Sequence, residues 1–520
     1  MRVHRAPLRD PVFTGASSAE LTPPLLPFPT FFESAGGWGD LGANGFGAET
    51  PNLDALAAGG IRFTDMHSNS VCTPSRAAMQ TGRYNIRMQI DGNFDVDSKA
   101  GLALGELTIA DILKRAPTPY STRILGKWHL GVQPKYHPTW RGYDNYMGVP
   151  YSIDMGCQNS ALNASGLPKP PGCSTTKNAS SPAIPLYNAS LDCSGISCNS
   201  EIVQQPADLT LLDNFYAQAA DEFISMHASG APLHGTPFFM YVPFSHVHVP
   251  LSHNPRFRNA SKRNNLFADT LLEMDDTVGR IVGSLRTHAL DEDTLILVVG
   301  DNGPWNAYCD DAGSQGFFTG SWQLANGGGA TGKFTEWEGG HREASLAYWP
   351  KGIVQPGRTS NATLHIVDFL VTLASLAGVP LPTDRHYDGV DFSSVLTSIT
   401  GPSPSENRYL AHQGSGGTTH AMRYKNYKAH WITSGAAACD GKGGPTVQHS
   451  PPLIFDLDAD PAEANPITPP AGLVDQFNNA LAALLNDVSN SFATKSNYSS
   501  GGRAFWPCCN PDTPACQCEI

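Results

Sequence analysis

"DTLILVVGDNG", residues 293–303, is an apolar run that stops abruptly at Asp301-Asn302-Gly303. "TPFFMYVPFSHVH" (236–248) has the same form, and "STRILGKWH" (121–129) is a weaker version of it. Apolar runs that end in polar or charged residues are what parallel strands look like when they finish at a ligand-binding edge. Helical patterns accompany them: "PNLDALAAGG" (51–60), "LTIADILKRA" (107–116), "NNLFADTLLEMDDTVGRIVGSLRTHAL" (264–290) and "LHIVDFLVTLASLAG" (364–378). Strands alternating with helices predict an α/β sheet covered on both faces. Loops beyond the carboxyl ends of its strands carry the chemistry, and His248, Asp301 and the Lys127–His129 pair fall there.

The chain has 520 residues, is 16% charged and 40% hydrophobic, and carries a formal net charge of −13. That charge argues against a nucleic-acid partner, because phosphate binding needs a basic field. An anionic substrate would have to be held by a few placed cations. No apolar run is long enough to span a membrane. Eleven cysteines sit mostly in Gly/Pro/Ser-rich segments, which suits disulfides in an oxidising compartment. Asn-x-Ser/Thr acceptors occur at Asn163, Asn178, Asn188, Asn259, Asn361 and Asn497. Together these features favour a secretory-pathway protein. The odd cysteine count leaves a thiol unpaired, and the isolated Cys72 is the candidate.

Three divisions follow. Residues 1–33 hold prolines at 23, 24, 27 and 29, which bar a buried central strand, and no apolar core of a signal peptide. They read as an atypical or mispredicted start. Residues 34–405 carry the α/β pattern, interrupted at 151–207 by a Cys-rich, glycosylated surface insertion. Residues 406–520 look like antiparallel strands ("THAMRYKNYKAHWIT", "PPLIFDLDADP"), a closing helix ("GLVDQFNNALAALLNDV") and a Cys-rich tail. The tail's CC-x6-C-x-C spacing suits disulfides better than zinc.

In "NSVCTPSRAAMQTGRY" (69–84), Pro74 suits a first helical turn and Thr73 an N-cap. Cys72 then sits just before a helix amino terminus, where an anion is favoured, with Arg76 one turn further in. A buried, inert thiol is the commoner fate of such a residue. His246 and His248, two apart on a strand, share a face and fit either a metal pair or packed histidines.

C-T-P-S-R followed by "AAMQTGRY" resembles the sulfatase signature, in which the cysteine is oxidised to formylglycine. "TPNLDALAAGGIRFTDMHS", "GKWHLG" (126–131), "VPYSIDMGC", "PFSHVHVP", "DNGP" and "GKFTEWEGGHREASLAYWP" follow the family order, and the "RYKNYKAHW" strands match its arylsulfatase type. The resemblance implies an alkaline-phosphatase-like mixed sheet flanked by helices, a smaller C-terminal α+β domain, and sulfate-ester hydrolysis. A formylglycine at 72 would be hydrated to a diol, one hydroxyl attacking sulfur and the other later expelling sulfate. By position, Arg76 would hold the diol and Lys127 and Lys333 would bind sulfate oxygens. His129 would act as base, His248 as acid, and Ser152 would hydrogen-bond the diol or sulfate.

The family's Ca²⁺ would fall to Asp301 and Asn302. Its further Asp-Asp pair is replaced by Ser34 and Ala35, with Glu33 the nearest carboxylate and Asp40 outside the metal pair. Cys309 and Cys439 would join the two domains. His341 departs from the family pattern and receives no role. The implied partners are a sulfated small-molecule, glycolipid or glycan substrate and a formylglycine-generating enzyme; homo-oligomerisation is compatible with the sequence. The implied location is lysosomal or secreted. Competing classes are a phosphate or phosphonate monoester hydrolase of the same superfamily, and a non-catalytic glycoprotein.

Overall fold

The computed structural model describes residues 29–34, 36–157, 182–190, 199–399, 407–414 and 416–507. Eleven strands form one large sheet: β1 (Thr30–Ser34), β2 (Ile61–His67), β3 (Ser121–Leu125), β4 (Asn145–Gly148), β5 (Leu186–Ser190), β6 (Asn199–Gln204), β7 (Phe238–Pro243), β8 (Ile296–Gly300), β9 (Arg342–Tyr348), β10 (Arg358–Ser360) and β11 (Leu364–His365). Across the sheet the order is β10-β2-β9-β8-β1-β7-β3-β4-β5-β6, with β11 beside β2. β1 runs parallel to β7 and β8, and β3 parallel to β7 and β4. β9 runs antiparallel between β2 and β8, so the sheet is mixed.

The two-residue period of a strand divides the core between the sheet's faces. Phe31, Tyr241, Leu297 and Val299 pack with the helices Cys72–Thr81 and Asp368–Leu376. Phe32, Met240, Val242 and Ile296 pack on the other face with the helices Leu212–Ser225 and Leu266–Thr287. Each fully buried side chain of this size contributes on the order of 1.5–3 kcal/mol. No helix among the described residues is long and apolar enough to cross a membrane.

Two sequence expectations are corrected here. The prolines do not keep the amino-terminal segment out of the sheet: Thr30–Ser34 fills a slot at its centre, and the Pro29 carbonyl accepts from the Met240 amide at 2.9 Å. A proline removes only its own donor, and the five residues after Pro29 have theirs. A boundary at residue 33 would cut β1. Second, the 151–207 insertion is not all irregular loop, because β5 and β6 extend the sheet antiparallel from β4. Cys157 is disulfide-bonded. Cys173, Cys193, Cys198, the tail cysteines, Asn163, Asn178 and Ala35 lie outside the described residues.

A second sheet, β12 (Tyr409–Gln413), β13 (Thr419–Tyr424), β14 (Tyr427–Gly435) and β15 (Gly444–Asp456), is antiparallel in sequence order. Its core of Met422, Ala429 and Ile454 is closed by Leu473 and Phe477 of the helix Leu473–Asn490. Buried charges join it to the large sheet: Lys428 Nζ donates to Glu338 Oε1 at 2.9 Å, and Arg423 Nη2 to Asp65 Oδ2 at 2.7 Å. His341 belongs to the same seam, with Nδ1 2.7 Å from the Ser68 carbonyl and its ring stacked 4.4 Å from His412. Cys309 and Cys439 are bonded, their Cα atoms 4.9 Å apart.

Candidate active site

β3, β7, β1 and β8 end side by side in that order, and residues at or just beyond their ends converge on the helix Cys72–Thr81. That helix starts two residues earlier than Pro74 and Thr73 suggested. Val71 is its N-cap, with φ −149° and ψ 156°, and Cys72 is its first residue. Thr73 does not cap; its hydroxyl donates to the His129 carbonyl at 3.0 Å, tying the helix to the "GKWH" loop. Gly126 makes that loop possible. At φ +133°, a Cβ there would lie 1.9 Å from the Pro243 carbonyl oxygen, so only glycine lets β3 and β7 end this close together.

Around the buried Cys72, Lys333 Nζ donates to Sγ at 3.4 Å and lies 3.0 Å from His248 Nε2. Lys127 Nζ donates to Ser152 Oγ at 3.0 Å. Arg76 Nη1 donates to the Lys127 carbonyl at 2.7 Å, and Nη2 to Asp301 Oδ2 at 3.0 Å. His129, at φ 57°, turns its ring inward with Nε2 3.2 Å from the Phe94 carbonyl. The Lys333 ammonium also sits 4.9 Å over the Trp305 ring. Cys72, Arg76, Lys127, His129, Ser152, His248 and Lys333 are thus gathered in one buried cluster, although up to 261 residues separate them in sequence.

The electrostatics follow from this packing. Burial opposes ionisation of the Cys72 thiol, but Lys127 and Lys333 outweigh it and hold the thiol well below its usual range. Burial likewise opposes the charge on Lys333, yet Cys72 and Asp301 keep its ammonium above the ordinary lysine value. Burial and the adjacent Lys127 push His129 down to about 4. In a chain of net charge −13, three buried cations here make a local positive site.

Asp301 and Asn302 follow β8, and their side-chain oxygens Oδ1 are both buried without a hydrogen-bond partner. Orphaned hard oxygens of this kind fit a Ca²⁺-like cation. Glu33, which follows Phe31 by two residues and so shares its face of β1, reaches the same cluster. Its Oε1 lies 3.0 Å from Arg76 Nη2, and the Tyr241 hydroxyl donates to Oε2. Burial pushes its carboxyl up to about 8. Ser34 contributes only its carbonyl, which accepts from the Asp301 amide at 3.0 Å. Asp40 accepts from the Gly37 amide at 2.7 Å and holds a turn.

His246 and His248 do not act as a pair. β7 ends at Pro243, so strand alternation no longer governs either residue. His246 lies between two carboxylates, Nδ1 2.9 Å from Asp213 Oδ1 and Nε2 3.3 Å from Glu273 Oε2, while His248 faces Lys333. Sequence reasoning missed Glu33's reach, Asp154 beside His248 and the wall made by Trp305. The "PYSIDMG" and "DNGPW" loops that hold Asp154 and Trp305 were the available signal. A cavity of about 730 Å³ lined by Arg358, Asn361 and Arg423 lies elsewhere, between the two sheets, and none of the clustered residues lines it.

Residues 31–379 match the sulfatase family model, and residues 405–518 the model described as the C-terminal region of aryl-sulfatase. Arylsulfatase G of Rattus norvegicus is 41% identical over 504 residues, covering 93% of this chain and 91% of the relative. Arylsulfatase A of Homo sapiens is 35% identical over 504 residues, covering 92% of each. Among solved structures, the PsFucS1 sulfatase from Pseudoalteromonas sp. superposes with a TM-score of 0.77 at 25% identity, over 91% of this chain and 92% of that one.

Proposed function

The chain belongs to the sulfatase family and is a sulfuric ester hydrolase, and from that premise we propose that Cys72, converted to formylglycine, is the centre at which it cleaves sulfate monoesters. The observation that carries this reading is the ring of Lys127, His129, His248 and Lys333 around a buried thiol at the first position of a helix. When formed, the aldehyde hydrate supplies a hydroxyl nucleophile, which a thiol adduct could not replace because it has no easy route of breakdown.

The chain's own residues would do the rest. Lys127 and Lys333 bind sulfate oxygens and neutralise charge that grows in the transition state. Arg76 orients residue 72 from one helical turn away and is itself held by Asp301 and Glu33. His129, neutral because burial and Lys127 hold it near 4, is free to accept a proton. His248 donates a proton to the departing alcohol, and Ser152, fixed by Lys127, hydrogen-bonds the sulfate or the residue-72 hydroxyl. Asp301 and Asn302 would hold Ca²⁺, whose charge would offset that of sulfate.

Exposed acceptors at Asn188, Asn259, Asn361 and Asn497 and the Cys309–Cys439 bond support a glycoprotein of the secretory pathway, lysosomal or secreted, matured by a formylglycine-generating enzyme. Sulfated small molecules, glycolipids and glycans are the substrate class, and homo-oligomerisation is compatible with it. The test is the mass of the Cys72 peptide from protein made in a secretory host, together with turnover of nitrophenyl sulfate and nitrophenyl phosphate. An aldehyde at 72 with sulfate preference is expected. A retained thiol without sulfate turnover, or preferential phosphate cleavage, defeats the reading.

A further inference from the structure

Asp154 lies in the loop after β4, and its side chain is 26% exposed. Its Oδ1 is buried without a hydrogen-bond partner and lies 3.7 Å from His248 Nδ1. On the other edge of the imidazole, Nε2 lies 3.0 Å from Lys333 Nζ. The Val249 carbonyl meets Nδ1 at 2.7 Å, and the Trp305 ring lies 5.9 Å away. Cys72 lies beyond Lys333. The charged groups facing His248 are therefore one ammonium, one carboxylate and the residue-72 side chain.

That arrangement sets a problem for an acid. A proton on His248 would place a second positive charge 3.0 Å from the Lys333 ammonium, and like charges at that distance repel. A carboxylate on the opposite edge offsets the repulsion. Burial opposes the ionisation of Asp154, but His248 and Lys333 outweigh it, so the carboxyl stays below its usual range and keeps its charge. Ser152, two residues earlier, accepts from Lys127 at 3.0 Å, so this one loop touches both lysines' surroundings.

We propose that Asp154 is a positioning residue for departure of the alcohol: it acts through His248, which the Val249 carbonyl orients, and its carboxylate balances the proton that the ring carries. The inference rests on the assignment of His248 as the acid. As the S–O bond breaks, its electron pair stays on the bridging oxygen, and the proton on His248 passes to that oxygen. His248 is left neutral, and Asp154 stays ionised throughout without touching the substrate.

The test compares aryl sulfates whose phenols rise in basicity from nitrophenol to unsubstituted phenol, together with an alkyl sulfate. A weakly basic phenol leaves without a proton, whereas a basic one needs it. Asp154→Asn should lower kcat by about 10–100-fold on the most basic leaving group and by less than about threefold on nitrophenyl sulfate. Asp154→Ser should reproduce that slope, and Asp154→Glu should recover part of the loss. His248→Ala, run beside them, should show the same dependence more steeply. If His248→Ala is insensitive to the leaving group, the assignment of His248 fails. If it is sensitive but the Asp154 variants lose rate equally across the series, or change only KM, the role given to Asp154 is overturned.

Discussion

Glu33 Oε1 and Asp301 Oδ2 each lie 3.0 Å from the same atom, Nη2 of Arg76. Two adjacent strands, β1 and β8, thus present carboxyl groups to one guanidinium from the helix that carries Cys72, and burial leaves that of Glu33 the weaker ion partner. The guanidinium fixes the helix against the end of the sheet. Removing one partner of a buried ion pair typically costs on the order of 3–5 kcal/mol, because the other charge is left uncompensated. Since Arg76 keeps Asp301, Glu33→Gln should cost less, about 1–3 kcal/mol, and Arg76→Ala should reach the upper range. Urea unfolding of the two variants checks this. An unchanged midpoint for Arg76→Ala would contradict the shared pairing.

Lys127 and Lys333 are asked to act on charge that appears only in the transition state. Alanine at either position should lower kcat on nitrophenyl sulfate by about 10²–10³-fold, with a smaller change in KM. Arginine at 333 should not restore the rate, since a planar fork cannot take the place of a compact ammonium between Cys72 and the Trp305 ring. Steady-state kinetics decides, and full activity in Lys333→Arg would count against the geometry.

Calcium should stabilise the fold as well as support turnover. A ligand that binds only the folded state raises stability by RT ln(1 + [L]/Kd). Thermal unfolding after chelation should therefore begin at lower temperature and recover on adding Ca²⁺. Asp301→Asn should abolish the response while leaving Asn302 in place. A melting temperature indifferent to Ca²⁺ in the unsubstituted protein would show that the orphaned oxygens of Asp301 and Asn302 serve another purpose.

His246 makes a prediction about pH. Burial alone would lower its proton affinity, but Asp213 and Glu273 outweigh burial and raise it to about 10 from 6.5. The folded state then binds the proton more tightly than the unfolded chain. The stability this confers is fully present below pH 6.5 and is lost as pH rises toward 10. Unfolding midpoints at pH 6 and pH 9 should differ less in His246→Gln than in the unsubstituted protein. Equal differences in the two would sink the idea of a buried imidazolium.

Local patterns carried much of this. The run at 293–303, the "GKWH" loop, the Cys72 helix and Lys333 could all be read because apolar periodicity, helix-start chemistry and a long ordered motif set act over short spans. Other features could not. Whether Thr30–Ser34 joined the sheet depended on β7 and β8 accepting it more than 200 residues away, against the warning of the preceding prolines. β5 and β6 formed because β4 offered an edge, not because their own composition demanded strands.

The side-chain pairings divide in the same way. Sequence spacing put His246 and His248 on one face, but that rule holds only within a strand, and β7 had already ended at Pro243. Only the folded chain could send one ring to Asp213 and Glu273 and the other to Lys333. Amino-acid order alone determined the family, the cysteine proposed as the reaction centre and the residues able to surround it, because those rest on chemical identity and near-neighbour spacing. Tertiary structure decided which carboxylate meets which cation, because that depends on the direction of each side chain where distant segments pack.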